Sequence, residues 1–459
     1  MEGIHATLTA ACWLVGGLLA LSGLDDLLLD GLAHLHRFAR RLTVYRRHPR
    51  ASCTSLPRLP EQSIAILVPA WREAAVIGTM LRTLRARLRY RNYHVFVGTY
   101  ANDPATAVAA RAADPSGRWL SVIGFDTAGP TTKADCLNRL WRAVAARERR
   151  RNGRIDLVVL HDAEDIVHAD ELRVFNYLGR RADMVQLPVV PLIPRRRAMI
   201  AGHYLDEFAE SHQKDLVVRE WLAGGVPSAG VGCAFRRDAL GDMAALHGGR
   251  PFSESSLTED YALALALLRR NRRTIFVRLH DADGVAVATR EYFPDDFRAA
   301  VRQKARWLTG IVLQSWARDG WTGSLGNRYM LLRDRKAILA ALLSAAAYVL
   351  ALCVTLYAGL ALIRPGVPPL VRGGEPLAWL LTANFLLLVN RAGHRMGYVW
   401  RLAGPRQALL SLPRIAIANA INCGAALRAL RLYIRHRRRG MPLRWDKTAH
   451  HLPARIPAE

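Results

Sequence analysis

Three residues near position 300 could bind sugar and phosphate on one surface. Gln303, Arg306 and Trp307 lie at i, i+3 and i+4, so a helix would present them on one face. An arginine can bind phosphate oxygens in a bidentate fork, and an indole offers a flat apolar surface to a sugar ring. An amphipathic helix lying at a membrane surface explains the same pattern, and both interpretations can hold together.

A pair of acids, Glu259 and Asp260, directly precedes an apolar helical pattern over residues 261–268. One interpretation is structural, because Thr258 suits a helix N-cap and acids suit the first turn. The other makes Asp260 a general base that deprotonates a hydroxyl group. The local pattern does not separate the two.

Two further acids, Asp162 and Glu164, follow an apolar strand predicted over residues 155–160. Their alternate spacing would let both carboxylates reach one Mg²⁺ or Mn²⁺ ion, which would neutralise a diphosphate. A solvated turn that caps the next helix is the alternative. Lys133, near the start of a helical pattern, is placed to bind phosphate, although a lone lysine there is more often a surface charge.

The middle of the chain, residues 61–310, predicts the elements that would position these groups. Near-continuous apolar runs alternate with helical periodicity, which indicates a parallel sheet covered on both faces. Ligands of such sheets bind at the carboxyl ends of the strands. Strands are predicted at 63–69, 94–98, 155–160, 184–188 and 274–277, and a helix at 74–88.

Composition favours a membrane protein over a nucleic-acid-binding one. The 459 residues carry a formal net charge of +27, and 51% of them are hydrophobic. Lys- and Arg-rich runs lie beside apolar spans, as expected for contact with anionic lipid, and no zinc-finger or RNP-like motif is present. The six cysteines are scattered without a CxxC pair, which argues against a disulfide framework or a structural zinc site.

Four apolar stretches are long enough to contact a bilayer. Residues 6–24 predict a first span rather than a signal peptide, because basic residues follow it and none precedes it. The positive-inside rule then places the residues after about 30 in the cytoplasm. Residues 337–363 and 377–388 predict two more spans. Residues 408–427, interrupted by Pro413 and flanked by basic residues, favour a helix in the cytoplasmic interface over a crossing.

These observations predict six segments. They are an N-terminal transmembrane helix (1–30), a basic cytoplasmic linker (31–60), a catalytic domain (61–310), an interface segment (311–336), transmembrane and interface helices (337–427) and a basic cytoplasmic tail (428–459).

Several strings resemble the family 2 glycosyltransferases, in particular the membrane-embedded processive type typified by bacterial cellulose synthase. The resemblance extends from about residue 60 to 455. The strings are VPAWRE (68–73), GTYANDPAT (98–106), KADCLN (133–138), HDAED (161–165) and WDKTAH (445–450).

The resemblance implies the GT-A fold, an α/β nucleotide-binding mixed sheet with helices on both faces, together with α-helical transmembrane segments. It also implies roles for the residues introduced above. Asp260, with Glu259 beside it, would be the catalytic base, and Asp162 and Glu164 would bind Mg²⁺ or Mn²⁺. Asp103 would lie near the nucleotide base, Lys133 and Asp162 near the diphosphate, and Gln303, Arg306 and Trp307 would hold the diphosphate and the terminal acceptor sugar.

The implied function is inverting sugar transfer from a nucleoside-diphosphate sugar, with a UDP-sugar expected, at the cytoplasmic face of a bacterial inner membrane. We expect processive extension of an exopolysaccharide. The expected partners are a polysaccharide or glycolipid acceptor, membrane lipids and a possible outer-membrane export partner, and we expect no nucleic acid. Transfer of one sugar to a lipid carrier, or a non-catalytic receptor or scaffold role, are the alternatives. Relatives of this type continue into a cyclic-di-GMP-binding domain, which we expect to be absent because the sequence ends at Glu459.

Overall fold

The computed structural model describes residues 2–194 and 199–440, and the predicted 445–450 string lies outside them. Within these ranges the strands form a seven-stranded sheet in the order β3-β2-β1-β4-β7-β5-β8 and a two-stranded sheet of β6 and β9. The strands are β1 (Ile64–Pro69), β2 (Tyr93–Tyr100), β3 (Leu120–Phe125), β4 (Leu157–Leu160), β5 (Met184–Gln186), β6 (Val189–Leu192), β7 (Cys233–Arg236), β8 (Thr274–Phe276) and β9 (Thr289–Tyr292).

Helices cover both faces of the large sheet, and further helices precede and follow its strands. They are α1 (Glu2–Thr43), α2 (Ile77–Arg87), α3 (Pro104–Arg111), α4 (Lys133–Arg151), α5 (Glu171–Leu178), α6 (Ile200–Glu210), α7 (Leu216–Ala223), α8 (Arg237–Leu246), α9 (Glu259–Arg269), α10 (Phe297–Leu308), α11 (Ser315–Asp319), α12 (Leu325–Ile363) and α13 (Pro376–Arg439), with a 3₁₀ turn at Cys53–Ser55 and π-helical turns at Ser211–Asp215 and Thr309–Gln314.

Strand β1 shows why the sequence builds two core layers. Its six residues are all buried, because neighbouring strands and helices cover both faces. Successive side chains point to opposite sides of a sheet. Ile64 and Ile66 accordingly pack with α2 and α5, whereas Ala65 and Leu67 pack with α4, α8 and α9.

The large sheet is mixed, which confirms the fold expected from the family resemblance and corrects the parallel sheet indicated by the apolar runs. β7 pairs antiparallel with both β4 and β5, while the other pairs in the sheet are parallel. β7 has only four residues and ends in Arg236, so it lacks the long branched apolar run by which the other strands were recognised.

Three helices, α1, α12 and α13, are long and apolar enough to cross a membrane. They contain the three predicted spans, and α1 continues through Thr43 into the predicted basic linker. α13 has two arms, because Gly404 adopts non-helical angles (φ 81°, ψ 177°). Its second arm carries the ambiguous stretch 408–427 and packs on α6 and α10 of the soluble domain. This packing favours the interface placement, which stays a prediction.

Candidate active site

Lys133 and Asp162 meet at the carboxyl edge of the large sheet. Thr132 caps α4 by accepting a hydrogen bond from the Asp135 backbone N–H, which places Lys133 in the first helical position. Asp162 follows the end of β4. The Lys133 Nζ lies 2.6 Å from Asp162 Oδ1. Two groups predicted separately from the sequence therefore form one ion pair, and the Asp162 side chain keeps 30% of its surface exposed toward a ligand.

The turn that carries Asp162 is held by a buried histidine. His161 Nδ1 lies 2.7 Å from Asp165 Oδ2, and its Nε2 lies 2.7 Å from Glu171 Oε1 at the start of α5. Burial by itself lowers the pKa of His161, but Glu171 and Asp165 raise it to about 10. The imidazolium thus fixes both carboxylates, and the Asp162 backbone N–H also donates to Asp165 at 3.1 Å.

Asp260 lies in the first turn of α9, where Gly230 leaves room for it. The Asp260 Oδ1 accepts a hydrogen bond from the Tyr261 N–H at 2.7 Å. A Cβ at position 230 would lie 2.4 Å from Asp260 Oδ2, and Gly230 has a φ of +79°. Both the close approach and the left-handed backbone require glycine here. Gly230 begins the stretch 230–237, which leads into β7, and β7 pairs with β4.

The electrostatics show that Asp260, Glu259, Lys133 and Asp162 share one site. Burial raises the pKa of Glu259 to about 8, with a further contribution from Asp260. Burial also raises the pKa of Asp260, while Lys133 opposes that rise. Burial alone would lower the pKa of Lys133, but the carboxylates, Asp162 foremost, raise it well above its ordinary value. Such a mixture of perturbed acids and one lysine is typical of a catalytic cleft.

Glu291 on β9 joins this group and was missed in the sequence. Burial raises its pKa, and Asp165, Glu164 and Asp162 raise it further through their negative charges. Glu291 stands in a short strand, TREY, with no repeated spacing to other acids, so only the pairing of β9 with β6 brings it here. We refer to Lys133, Asp162, Glu164, Glu259, Asp260 and Glu291 as the carboxylate site.

The predicted face on α10 is present, and its three residues differ in exposure. Asp296 caps the helix, and Gln303 is 6% exposed. Among the described residues Gln303 Oε1 has no hydrogen-bond partner. Trp307 is partly buried, with its ring centroid 6.0 Å from that of Tyr204. The indole therefore leans on the protein rather than standing free as the flat surface expected from the sequence.

Trp307 belongs to an aromatic group that connects α10 to the carboxylate site. Tyr204 stacks on Phe293 with centroids 4.6 Å apart, and Phe293 follows β9. Burial raises the pKa of Tyr204, and both Glu291 and Arg306 lie close enough to influence it. Tyr204 is thus influenced both by Arg306 of α10 and by Glu291 of the carboxylate site.

The π-helical turn after α10 supports the loop that carries the acids. The Gln314 side chain accepts from the Leu257 N–H and donates to the Ser255 carbonyl, each at 2.9 Å. A Cβ at Gly310 would lie 2.4 Å from Thr258 Oγ1, so the turn packs directly on the N-cap of α9. A π-helical turn often marks a functional position, and the sequence gives no spacing signal for it.

Asp103 lies at the end of β2 and caps α3. Its carboxylate accepts from the Thr106 N–H at 3.4 Å and from the N–H of Arg72, which follows β1 with a φ of +56°. Asn102 beside it holds the 126–132 loop through two 2.7 Å bonds to Gly129. These contacts give Asp103 a structural role, and its expected proximity to a nucleotide base stays a prediction.

Residues 157–362, which include β4, the acids of the site and α10, match the family described as "Glycosyl transferase family group 2". These residues therefore carry a match to a family 2 glycosyltransferase domain, which confirms the resemblance seen in the sequence. The fold agrees, because the structure resembles the mannosyltransferase PcManGT from Pyrobaculum calidifontis, solved with GDP-Man and Mn²⁺, with a TM-score of 0.54 at 16% identity, covering 91% of this chain and 99% of that one.

Two curated relatives come from Escherichia coli. The chain is 40% identical over 460 residues to bacteriophage adsorption protein B of strain K12 and, equally, to bacteriophage N4 adsorption protein B of O157:H7. The alignments cover 95% of this chain and 61% of each relative. The chain therefore spans about three fifths of the length of these relatives.

Proposed function

We propose that the protein is a membrane-embedded, inverting glycosyltransferase that uses a nucleoside-diphosphate sugar. The observation that carries the proposal is the 2.6 Å pair of Lys133 and Asp162 in one electrostatic group with Glu259 and Asp260. A positive group for a leaving diphosphate and a negative group for an acceptor proton are the two requirements of such a transfer.

The reaction is a single displacement at the anomeric carbon. The Asp260 carboxylate takes the proton of an acceptor hydroxyl, whose oxygen forms the new bond to the anomeric carbon. The bond from that carbon to the diphosphate oxygen breaks, and the nucleoside diphosphate leaves with the electron pair. Lys133 stabilises the charge that develops on the departing oxygens.

A divalent cation fits the donor chemistry beside Lys133. Within residues 2–194 and 199–440 no three His, Cys, Asp or Glu side chains converge as a ligand set. Asp162 and Glu164 supply hard oxygen donors, so they would hold Mg²⁺ or Mn²⁺ and diphosphate oxygens would complete its shell. When bound, the ion would neutralise the diphosphate and relieve the repulsion among the acids.

The acceptor side of the proposal rests on α10. Gln303 Oε1 is buried and lacks a partner among the described residues, and Arg306 lies near it on the same face. A hydroxyl-rich sugar end would satisfy Gln303 and lie beside Arg306. Because α10 packs on the second arm of α13, we propose processive extension of an exopolysaccharide close to the membrane, with the catalytic domain on the cytoplasmic side of a bacterial inner membrane.

The test is an assay of isolated membranes with a panel of labelled nucleoside-diphosphate hexoses and N-acetylhexosamines in the presence of Mg²⁺. We expect high-molecular-weight labelled product that disappears in Asp260→Asn. Asp242→Asn is the matched control, because this carboxylate is exposed on α8 and takes no part in the site.

Two other outcomes would replace the proposal. Label confined to the lipid extract would show transfer of one sugar to a lipid carrier. The names of the two relatives as adsorption proteins favour a receptor or scaffold role as the second candidate. Intact protein without turnover of any donor, in wild type as in Asp260→Asn, would establish that role instead.

A further inference from the structure

A second candidate site lies outside the carboxylate site, between α1 and the first arm of α13. It is a cavity of about 360 Å³, lined from α1 by His34 and Arg37. The α13 side includes Asn390, Gly393, His394, Gly397, Tyr398 and Arg401. It shares no residue with the carboxylate site.

The walls of this cavity are cationic and held in place. Arg37 donates to the Gln213 carbonyl at 2.8 Å, and its guanidinium lies 5.4 Å from the ring centre of Tyr398. Arg401 lies 6.0 Å from the same ring. Among the described residues neither guanidinium makes an ion pair with a carboxylate. Two arginines thus flank one tyrosine with their charge uncompensated.

The acid nearest to this cavity is already engaged. Asp30 lies 3.6 Å from His394 Nδ1, but its other oxygen is bound by Lys214 at 2.9 Å. His34 and His394 approach each other through their Nε2 atoms at 3.1 Å. His394 Nδ1 also lies 3.0 Å from the Asn390 carbonyl oxygen, so the cavity offers an anion the two guanidinium groups and the Nδ1 of His34.

Two glycines keep the cavity open. A Cβ added at Gly393 or at Gly397 would meet no atom within 4 Å. They are one turn apart on α13, where glycine costs helix stability relative to alanine. Larger side chains at these positions would enter the cavity without striking the protein.

The position of the cavity identifies the source of the anion. Leu386 and Val389, 61% and 51% exposed, continue the same stripe of α13 toward the predicted span at 377–388. An acyl chain could lie along this apolar stripe while its phosphate entered the cavity. We propose that this cavity binds the phosphate headgroup of an anionic membrane lipid and so attaches α1 to α13.

The test uses the purified full chain in detergent, with retention of phosphatidylglycerol against phosphatidylcholine measured by native mass spectrometry. Wild type should retain phosphatidylglycerol preferentially. Arg37→Gln with Arg401→Gln should reduce that preference about thirtyfold, because each arginine near a lipid phosphate contributes on the order of 1 kcal/mol and about 1.4 kcal/mol corresponds to a factor of ten. Arg41→Gln with Arg406→Gln is the matched control, since it removes the same charge from positions of the same two helices that do not line the cavity.

A second variant keeps the test decisive if the loss of Arg37 disturbs folding. Gly393→Leu with Gly397→Leu blocks the cavity without changing charge, and should also abolish the preference. Equal retention by all variants would overturn the proposal. Stabilisation of wild type by inorganic phosphate alone, lost in the glycine variant, with no preference for phosphatidylglycerol, would show a free-anion site and overturn the assignment to lipid.

Discussion

Buried charged side chains are arranged differently in two of the regions that the structure describes, the carboxylate site and a junction where α1 and α13 meet the π-helical turn at Ser211–Asp215. At the junction Lys214 Nζ lies 2.9 Å from Asp30 and 2.8 Å from Glu210, and Arg395 binds Glu210 at 3.0 Å. Asp215 also lies 3.9 Å from Lys214, so two cations there meet three carboxylates.

The carboxylate site is not balanced in this way. Five acids share one lysine, and burial raises the pKa of both Glu259 and Asp260. Ion pairs at the junction join α1, α6 and α13, whereas the carboxylate site as defined above has five acids to one lysine, an excess that the proposed binding of a cation would relieve. Under the proposed function the same kind of residue serves attachment in one region and chemistry in the other, and four experiments test that distinction.

The largest effect is expected from Asp260→Asn. Loss of a general base should lower kcat by about 10²–10⁴-fold. Stability should stay the same or rise, because one of the mutually repelling acids is removed. Thermal unfolding measured alongside turnover checks both expectations, and a clear fall in unfolding temperature would mean that Asp260 is structural.

At the junction we expect substitution to lower the stability of the fold. Lys214→Met leaves Asp30 and Glu210 buried without their lysine, which should cost about 3–5 kcal/mol of unfolding free energy. Chemical denaturation in detergent measures it. Lys336→Met is the control, because its partners Asp25 and Asp26 are also bound by Arg333 and are partly exposed, so we expect about 1 kcal/mol or less. Equal losses would contradict the comparison.

Gly230→Ala changes the space around Asp260 without changing any charge of the carboxylate site. The added Cβ meets Asp260 and the backbone is left-handed, so we expect roughly tenfold lower kcat and about 1–2 kcal/mol lower stability. Gly224→Ala shares the positive φ, at +75°, but its Cβ meets nothing within 4 Å. That variant should lose stability alone, and equal activity in both variants would show that Asp260 can shift without consequence.

The smallest effect is a pH dependence of stability. Glu259 has a pKa raised to about 8 from an ordinary 4.5, so between these values the folded chain holds a proton that the unfolded chain has lost. Stability from this group should therefore fall as the pH rises from about 4.5 to 8. Unfolding temperatures measured across that range should fall less steeply with pH in Glu259→Gln than in wild type. An unchanged slope would show that another group causes the pH dependence.

The sequence predicted those features that depend on one segment at a time. Asp162 after β4, Asp260 at the start of α9 and the face of Gln303 on α10 all follow from local pattern, supported by the family resemblance. Glu291 could not be found in this way, because it reaches the site only through β9 and the pairing of that strand with β6.

The aromatic group around Trp307 shows the same limit of prediction from the sequence. Trp307 was recognised as a surface for sugar, but tertiary packing with Tyr204 and Phe293 decided how much of the indole remains exposed. Helix spacing fixes which side chains share a face, and only the neighbouring elements fix what that face touches.

The π-helical turn at Thr309–Gln314 has a practical consequence. Gln314 bonds to Ser255 and Leu257 in the loop that leads to the acids of α9, and Val312 packs with Ile338 of α12 and Ala426 of α13. A soluble fragment ending at Leu308 would lose both supports of that loop at once. Under the proposed function such a fragment should fold around its sheet yet turn over donor far more slowly, so an assay of that activity needs the chain through α12 and α13.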